Sequence, residues 1–191
     1  MGQGASKAAG AGKSCAIIVT GLPASGKTTQ ARALATALGW PMLDKDDCLE
    51  RLYDTVAVTS MDIRRQLSRK ADVAFKREAI ALPQVVLVSH WRPRGVHSTS
   101  GTPTDWVLAH FTTTLELHCA CAWQTALARF QNRSRHPGHL DDQRPEAALA
   151  TQLKALEPAY PLGLSPHISV STEARVDAGP VLAQIRELLV G

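Results

Sequence analysis

From residue 15 onward the chain alternates short continuous apolar runs with stretches whose apolar residues recur every three or four positions. Cys15-Ala16-Ile17-Ile18-Val19 is such a run and predicts a strand over 15–20. Ala31, Leu34, Ala35 and Leu38 then fall at helical spacing over 27–38, and Gly39 and Pro41 stop that helix. Pro41-Met42-Leu43-Asp44 predicts a short second strand, leading through Lys45-Asp46-Asp47 into a helix carrying Leu49, Leu52 and Tyr53. A long helix follows over 61–82, with Ile63, Leu67, Ala71, Ala74 and Phe75 on one stripe. Its other faces carry Arg64, Arg65, Arg69, Lys70, Lys76 and Arg77, which read as a solvated surface. Gln84 to Ser89 is β-branched and apolar and predicts a buried parallel strand; residues 94–105 read as a loop rich in Gly, Ser, Thr and Pro. Further strands are predicted at 115–119 and 167–170. Helices are predicted at 122–132, at 145–156 with Pro145 at its start, and at 180–190. A polar loop spans 134–144.

Strands that alternate with helices imply an α/β domain: a five-stranded parallel sheet with helices on both faces. In such sheets ligands bind beyond the carboxyl ends of the strands. Here those ends are 21–28, 44–47, 89–94 and the segment after Cys121.

Composition narrows the setting. The chain has 191 residues, 45% of them apolar, enough for one domain over 15–191. Residues 1–14, rich in Gly, Ala and Ser, read as a flexible tail. The tail contains Gly12-Lys13-Ser14, without the upstream strand or glycine that a phosphate loop needs. It also opens on Met1-Gly2-Gln3-Gly4-Ala5-Ser6, which fits an N-myristoylation pattern but reads more simply as a small-residue tail. No apolar run is long enough to cross a bilayer and no signal peptide is visible, so a cytoplasmic protein without stable membrane association is expected. The formal charge of +4 suits anionic small substrates and does not by itself call for nucleic acid. Cys15, Cys48, Cys119 and Cys121 are too scattered for a disulfide framework.

The chemistry centres on Gly21-Leu22-Pro23-Ala24-Ser25-Gly26-Lys27-Thr28, which fits G-x-x-x-x-G-K-[ST] between a strand and a helix. This is the P-loop, or Walker A, signature. Its glycines let backbone N–H groups turn toward phosphates, and the helix contributes its positive end. Residues 21–28 together with Thr29 are therefore the expected ATP cradle, with Lys27 on the β- and γ-phosphates and the Thr28 hydroxyl on Mg²⁺.

Two further stretches bear on the reaction. Asp44, Asp46 and Asp47 follow the second strand. Asp46, at the turn, is the expected carboxylate facing an acceptor hydroxyl, and Asp47 the expected helix cap. Arg129 and Arg133 share a helical face and Arg135 follows in the loop, as a lid that gathers charge on a γ-phosphate requires. His136 and His139 read as lid-closure or surface residues. The acceptor is expected between Asp46, Arg92 and the 61–80 helix.

With GLPASGKTT, LDKDD and RFQNRSRHPGHLD, the chain resembles the P-loop small-molecule kinases of the nucleoside-monophosphate-kinase-like superfamily over roughly 15–190. Within it the resemblance is to the zeta toxin and AAA-type kinase group, with its chloramphenicol phosphotransferase-like and gluconate kinase-like enzymes. The resemblance implies a P-loop NTPase fold with a short lid. It implies transfer of the γ-phosphate of ATP to a small-molecule hydroxyl, Asp46 as the acceptor-side carboxylate, and Arg129, Arg133 and Arg135 as lid arginines. A nucleotide or polynucleotide kinase, and an ATP-binding regulatory module with little turnover, stand as alternatives. The chain departs from many P-loop proteins in one respect: the third strand ends Val88-Ser89-His90, with no Walker B carboxylate.

Overall fold

Every residue of β1 (Cys15–Thr20) is buried, as a strand covered on both faces must be. The computed structural model describes residues 14–93 and 100–190, with the backbone alone described at Val190. Its elements in chain order are β1, α1 (Lys27–Leu38), β2 (Met42–Asp44), α2 (Lys45–Tyr53), α3 (Met61–Ile80), β3 (Gln84–Val88), α4 (Asp105–His110), β4 (Thr113–Ala120), α5 (Trp123–Asn132), α6 (Glu146–Leu156), β5 (His167–Ser171) and α7 (Ala178–Val190). Among the described residues the five strands form one sheet in the order β2-β3-β1-β4-β5, and every pairing is parallel. The fold is thus the expected α/β one.

The pleat sorts β1 onto two cores. Ala16 and Ile18 point with Val85 and Leu87 toward α2, α3, α5 and α6, around Leu49, Phe75, Phe130 and Leu153. Ile17 and Val19 point with Val86 and Val88 toward α1 and α7, around Ala31, Leu34 and Ile185. Because β1 is central, its carboxyl end opens in the middle of the sheet, with the ends of β3 and β4 on either side.

Buried polar groups hold those ends in place. The Trp91 indole donates to the Val19 carbonyl at 2.9 Å, and the Tyr160 hydroxyl donates to the Trp91 carbonyl at 3.1 Å. Glu116, fully buried in β4, accepts from the Thr20 hydroxyl at 2.6 Å and from the amides of Leu162 and Leu164 at 2.7 and 3.0 Å. Such a carboxylate tolerates burial because its lone pairs are taken up.

Some boundaries differ from the sequence-based ones. α3 ends at Ile80, two residues early, where Leu82 and Pro83 turn the chain into β3. Asp105–His110, expected within a loop or unassigned, is a short helix that buries Val107. β4 starts at Thr113 because Thr113 and Thr114 pair with Cys15 and Ala16. The polar 134–144 stretch contains two single 3₁₀ turns, Pro137–His139 and Asp141–Gln143. Ser14, expected in the tail, is tied to Thr112 in both directions, its amide donating at 3.0 Å and its carbonyl accepting at 2.8 Å. The remaining tail, with its myristoylation pattern, and residues 94–99 of the loop lie outside the described residues. All four cysteines are free; Cys119 is buried in β4 and Cys121 lies just beyond the strand. No helix among the described residues is long and apolar enough to cross a membrane.

Candidate active site

The P-loop is built as its sequence requires. Gly21 has φ 133°, and a Cβ there would lie 2.4 Å from the Cys119 carbonyl oxygen, so no other residue fits. Ala24 at φ 62° and Gly26 at φ 88° complete the turn, closed by the Ser25 amide donating to the Leu22 carbonyl at 3.1 Å. Gly26 caps α1 with no side-chain hydrogen bond, and no acidic residue lies in the first turn. The free amides and the positive helix end are therefore left for an anion. Lys27 folds over the turn and donates to the carbonyls of Gly21 at 3.1 Å and Leu22 at 2.7 Å. Burial pushes its ammonium below the ordinary value, against the pull of Asp44 and Asp46.

Pro23, Ala24, Gly26, Lys27, Thr28 and Thr29 face a cavity of about 1250 Å³, with Gly21, Leu22 and Ser25 forming the turn behind them. That volume exceeds the usual range for a single small-ligand pocket, so it has room for a nucleotide and a second ligand.

A carboxylate reaches the P-loop threonine from β2, the strand beside β3. Asp44 ends β2, pairs with Val88, and accepts from the Thr28 hydroxyl at 2.8 Å through one oxygen. Its other oxygen accepts the Asp46 amide at 3.0 Å, which makes Asp44 the cap of α2. Asp47 is not the cap: the helix starts at Lys45, so the capping position falls three residues earlier, and Asp47 sits exposed in the first turn. Burial, reinforced by Asp46, pushes the Asp44 carboxyl up to about 6. His90 stands where the Walker B carboxylate would be. Burial, with Lys27 and Lys45 nearby, pushes its imidazole down to about 4 and keeps it neutral at pH 7.

Asp46 lines the cavity and pairs with the Arg135 guanidinium, which lines it too. Burial would raise the Asp46 carboxyl, but Arg135 foremost, with His139, Lys27 and Arg133, holds it below its ordinary value. Arg135 also bonds Asp141 at 3.1 Å, and Arg133 lies 3.6 Å from Asp141 with its guanidinium 4.1 Å over the Phe130 ring. Burial and the neighbouring Arg135 push Arg133 down to about 10. The lid is latched to α2: His139 meets Glu50 at 2.8 Å, His136 meets Asp54 at 3.3 Å, and both histidines pack on Tyr53. No group of three or more His, Cys, Asp or Glu side chains gathers for a metal among the described residues.

Arg129 also lines the cavity, but its guanidinium donates to the carbonyls of Thr172 at 2.7 Å and Glu173 at 3.0 Å, fixing the loop after β5. Arg92 does not line the cavity. Its guanidinium donates to the carbonyls of Ser100 at 3.1 Å and Gly101 at 3.0 Å, two residues that do. The structure thus brings Lys27, Thr28, Asp46, Arg129, Arg133 and Arg135 into one cavity and leaves Arg92 behind its wall. Missed by the sequence reading are Asp44 as cap, Lys45, Arg64, Ser68, His90, Arg144 and the 172–178 loop. The carboxyl-end rule applied to β5 would have found the last of these.

Residues 17–159 match a family model described as an AAA domain. Among curated proteins, none matches the chain in sequence. Among solved structures, a candidate kinase from Chloroflexus aurantiacus is similar over 95% of this chain and 98% of its own, at 24% identity and TM-score 0.74. Shikimate kinase from Bacteroides thetaiotaomicron is similar over 93% and 99%, at 18% identity and TM-score 0.59. A gluconokinase from Sinorhizobium meliloti is similar over 94% and 96%, at 19% identity and TM-score 0.54. The P-loop, the parallel sheet with β1 at its centre and the matched span together place this chain in the AAA domain family, with the fold of the P-loop small-molecule kinases.

Proposed function

We propose that the protein is an ATP-dependent phosphotransferase that moves the γ-phosphate of ATP to a hydroxyl of a small molecule. The observation that carries this reading is Asp46, paired with Arg135, lining the same cavity as Lys27 and Thr28 of the P-loop. A site that only held nucleotide would have no use for a carboxylate on the acceptor side.

The P-loop amides and Lys27 would take the phosphates, and the 172–178 loop with Arg129 would border the base. The Thr28 hydroxyl and the Asp44 carboxylate, 2.8 Å apart, fit the needs of Mg²⁺, which takes one or two protein oxygens and completes its shell with phosphate and water. Bound there, Mg²⁺ would neutralise charge on the β- and γ-phosphates. Asp46 would accept the hydrogen bond of the acceptor hydroxyl and align its oxygen for in-line attack; the new P–O bond forms, ADP leaves, and the hydroxyl proton passes to Asp46. Its pair with Arg135 keeps Asp46 ionised until the phosphates draw the arginine away.

Incubation with γ-labelled ATP and a panel of sugars, nucleosides, hydroxy acids and antibiotics tests this. Label should move to at least one compound. Asp46→Asn should cut that transfer by about two or more powers of ten while leaving the fold intact. Label released only to water, equally by both proteins, would refute the reading.

A further inference from the structure

One stripe of α2 is given over to the lid. Asp46, Glu50, Tyr53 and the C-cap Asp54 stand at positions i, i+4, i+7 and i+8 of the same helical face. Asp46 pairs with Arg135, Glu50 meets His139, and Asp54 meets His136. Between the carboxylates, the Tyr53 ring takes the rest of the segment. His136 lies tilted against it with ring centres 5.4 Å apart, and His139 meets it edge-on at 5.2 Å.

Gly138 closes the fit. A Cβ on it would stand 2.5 Å from two ring carbons of Tyr53, so the backbone of the turn lies directly on the ring. The turn is itself stiff. Pro137 opens it, the His136 Nδ1 accepts from the Gly138 amide at 3.0 Å, and the Leu140 amide donates to the Pro137 carbonyl at 2.9 Å. Asp141 follows, bonding Arg135 at 3.1 Å and standing 3.6 Å from Arg133. A closed loop of contacts thus runs from the Tyr53 ring through the turn and Asp141 to Arg135, and back through Asp46 to α2. Every partner in it belongs to this chain, so the loop needs no ligand to form. Phosphoryl transfer uses Asp46 and Arg135 and leaves the middle of the loop without a task. The Tyr53 hydroxyl is buried without a partner, so the ring and not the oxygen makes the seat.

We propose that Tyr53 and Gly138 are positioning residues: they seat the lid on α2, so that the acceptor-side carboxylate and the lid arginines move as one body when the cavity closes. A lid hinged independently of α2 would take Arg135 away from Asp46 each time it opened. Seated on Tyr53, it keeps the pair together until phosphate competes for the arginine. The part this body plays in transfer rests on the phosphotransferase reading; the seating of the lid does not.

Hydrogen exchange and a carbon-detected titration of the Asp46 carboxyl test this, on the full chain without nucleotide, in wild type, Tyr53→Phe, Tyr53→Ala and Gly138→Ala. Exchange over 136–140 should quicken about tenfold or more in Tyr53→Ala, by a lost contact, and in Gly138→Ala, by overpacking. Tyr53→Phe keeps the ring and should match the wild type. Burial works to raise the Asp46 carboxyl, and Arg135 with its neighbouring cations holds it below its ordinary value. In Tyr53→Ala and Gly138→Ala that carboxyl should titrate higher, with exchange in β1 unchanged. Gly138→Ala leaves α2 intact and so decides the matter if Tyr53→Ala, altered in the core, fails to fold. Wild-type exchange in Gly138→Ala, quickened exchange with an unmoved Asp46 carboxyl, or a Tyr53→Phe variant as loose as Tyr53→Ala would overturn the proposal. So would loss of β1 protection in Gly138→Ala, because the seam would then be part of the core and not a separate seat. If instead Mg-ATP fails to slow exchange over 133–142 in the wild type, the phosphotransferase reading falls and the seat on Tyr53 stands.

Discussion

Three aspartates within four residues have different work. Asp44 caps α2 and touches Thr28, Asp46 faces the lid, and Asp47 is solvated. From composition alone each could cap or catalyse, since the capping residue is defined by where the helix begins and not by its type. That Asp46 faces the cavity is legible in the turn it occupies, whereas the cap expected at Asp47 lies three residues earlier, at Asp44. Asp47→Asn should therefore change neither stability nor transfer beyond about 0.5 kcal/mol, as for other surface substitutions. Asp44→Asn keeps an acceptor for the Asp46 amide and removes a buried charge. Thermal stability should hold within about 1 kcal/mol, while Mg-ATP affinity drops about ten- to a hundredfold, the range seen when an oxygen supporting a metal is lost. A titration showing unchanged Mg-ATP affinity in Asp44→Asn would remove Asp44 from the metal's surroundings.

Among the elements, the lid is the one whose parts come from sequence yet whose assembly does not. Arg129 and Arg133 were placed together by helical spacing. That Arg129 would be spent on the carbonyls of Thr172 and Glu173 depends on β5 arriving beside α5, a contact across more than forty residues. The same holds for Arg64. On the helix alone it is one of six basic residues on a solvated face; only the packing of α3 against α2 turns it into the cavity. Arg133→Ala and Arg135→Ala should lower turnover far more than ATP affinity, because their contacts strengthen as charge develops on the transferring phosphoryl group. Loss of an arginine in that role costs about three to five powers of ten in rate elsewhere. Amide exchange over 133–142 should slow when nucleotide binds, since the latch of His136 and His139 onto α2 would be joined by contacts to phosphate. Wild-type turnover in both variants would return the segment to a basic helix end.

For the molecule as a whole, the parallel sheet was readable because buried strands are near-continuous apolar runs, and the helices because one stripe of each is apolar. α4 escaped because six residues cannot display a period. Stability against pH is also a property of the whole. His90 titrates near 6.5 when unfolded and near about 4 when folded. As pH falls through that window the unfolded chain takes up a proton that the folded chain does not, and stability declines. Asp44, pushed up to about 6, acts in the opposite sense: the folded chain holds its proton more tightly, so stability declines as pH rises from about 4 to 6. Comparison of wild type with His90→Asn isolates the histidine. Between pH 7 and 4.5 the wild type should lose about 2 kcal/mol more than the variant, visible as converging melting temperatures; parallel curves would mean that His90 is not held neutral.

If this cavity binds Mg-ATP through Lys27, calorimetry of Mg-ATP with wild type and Lys27→Ala will show it. The wild type should bind saturably and one to one, and Lys27→Ala at least about tenfold more weakly, with both proteins equally folded. No binding to the wild type at millimolar nucleotide, or equal binding by the two proteins, would contradict it.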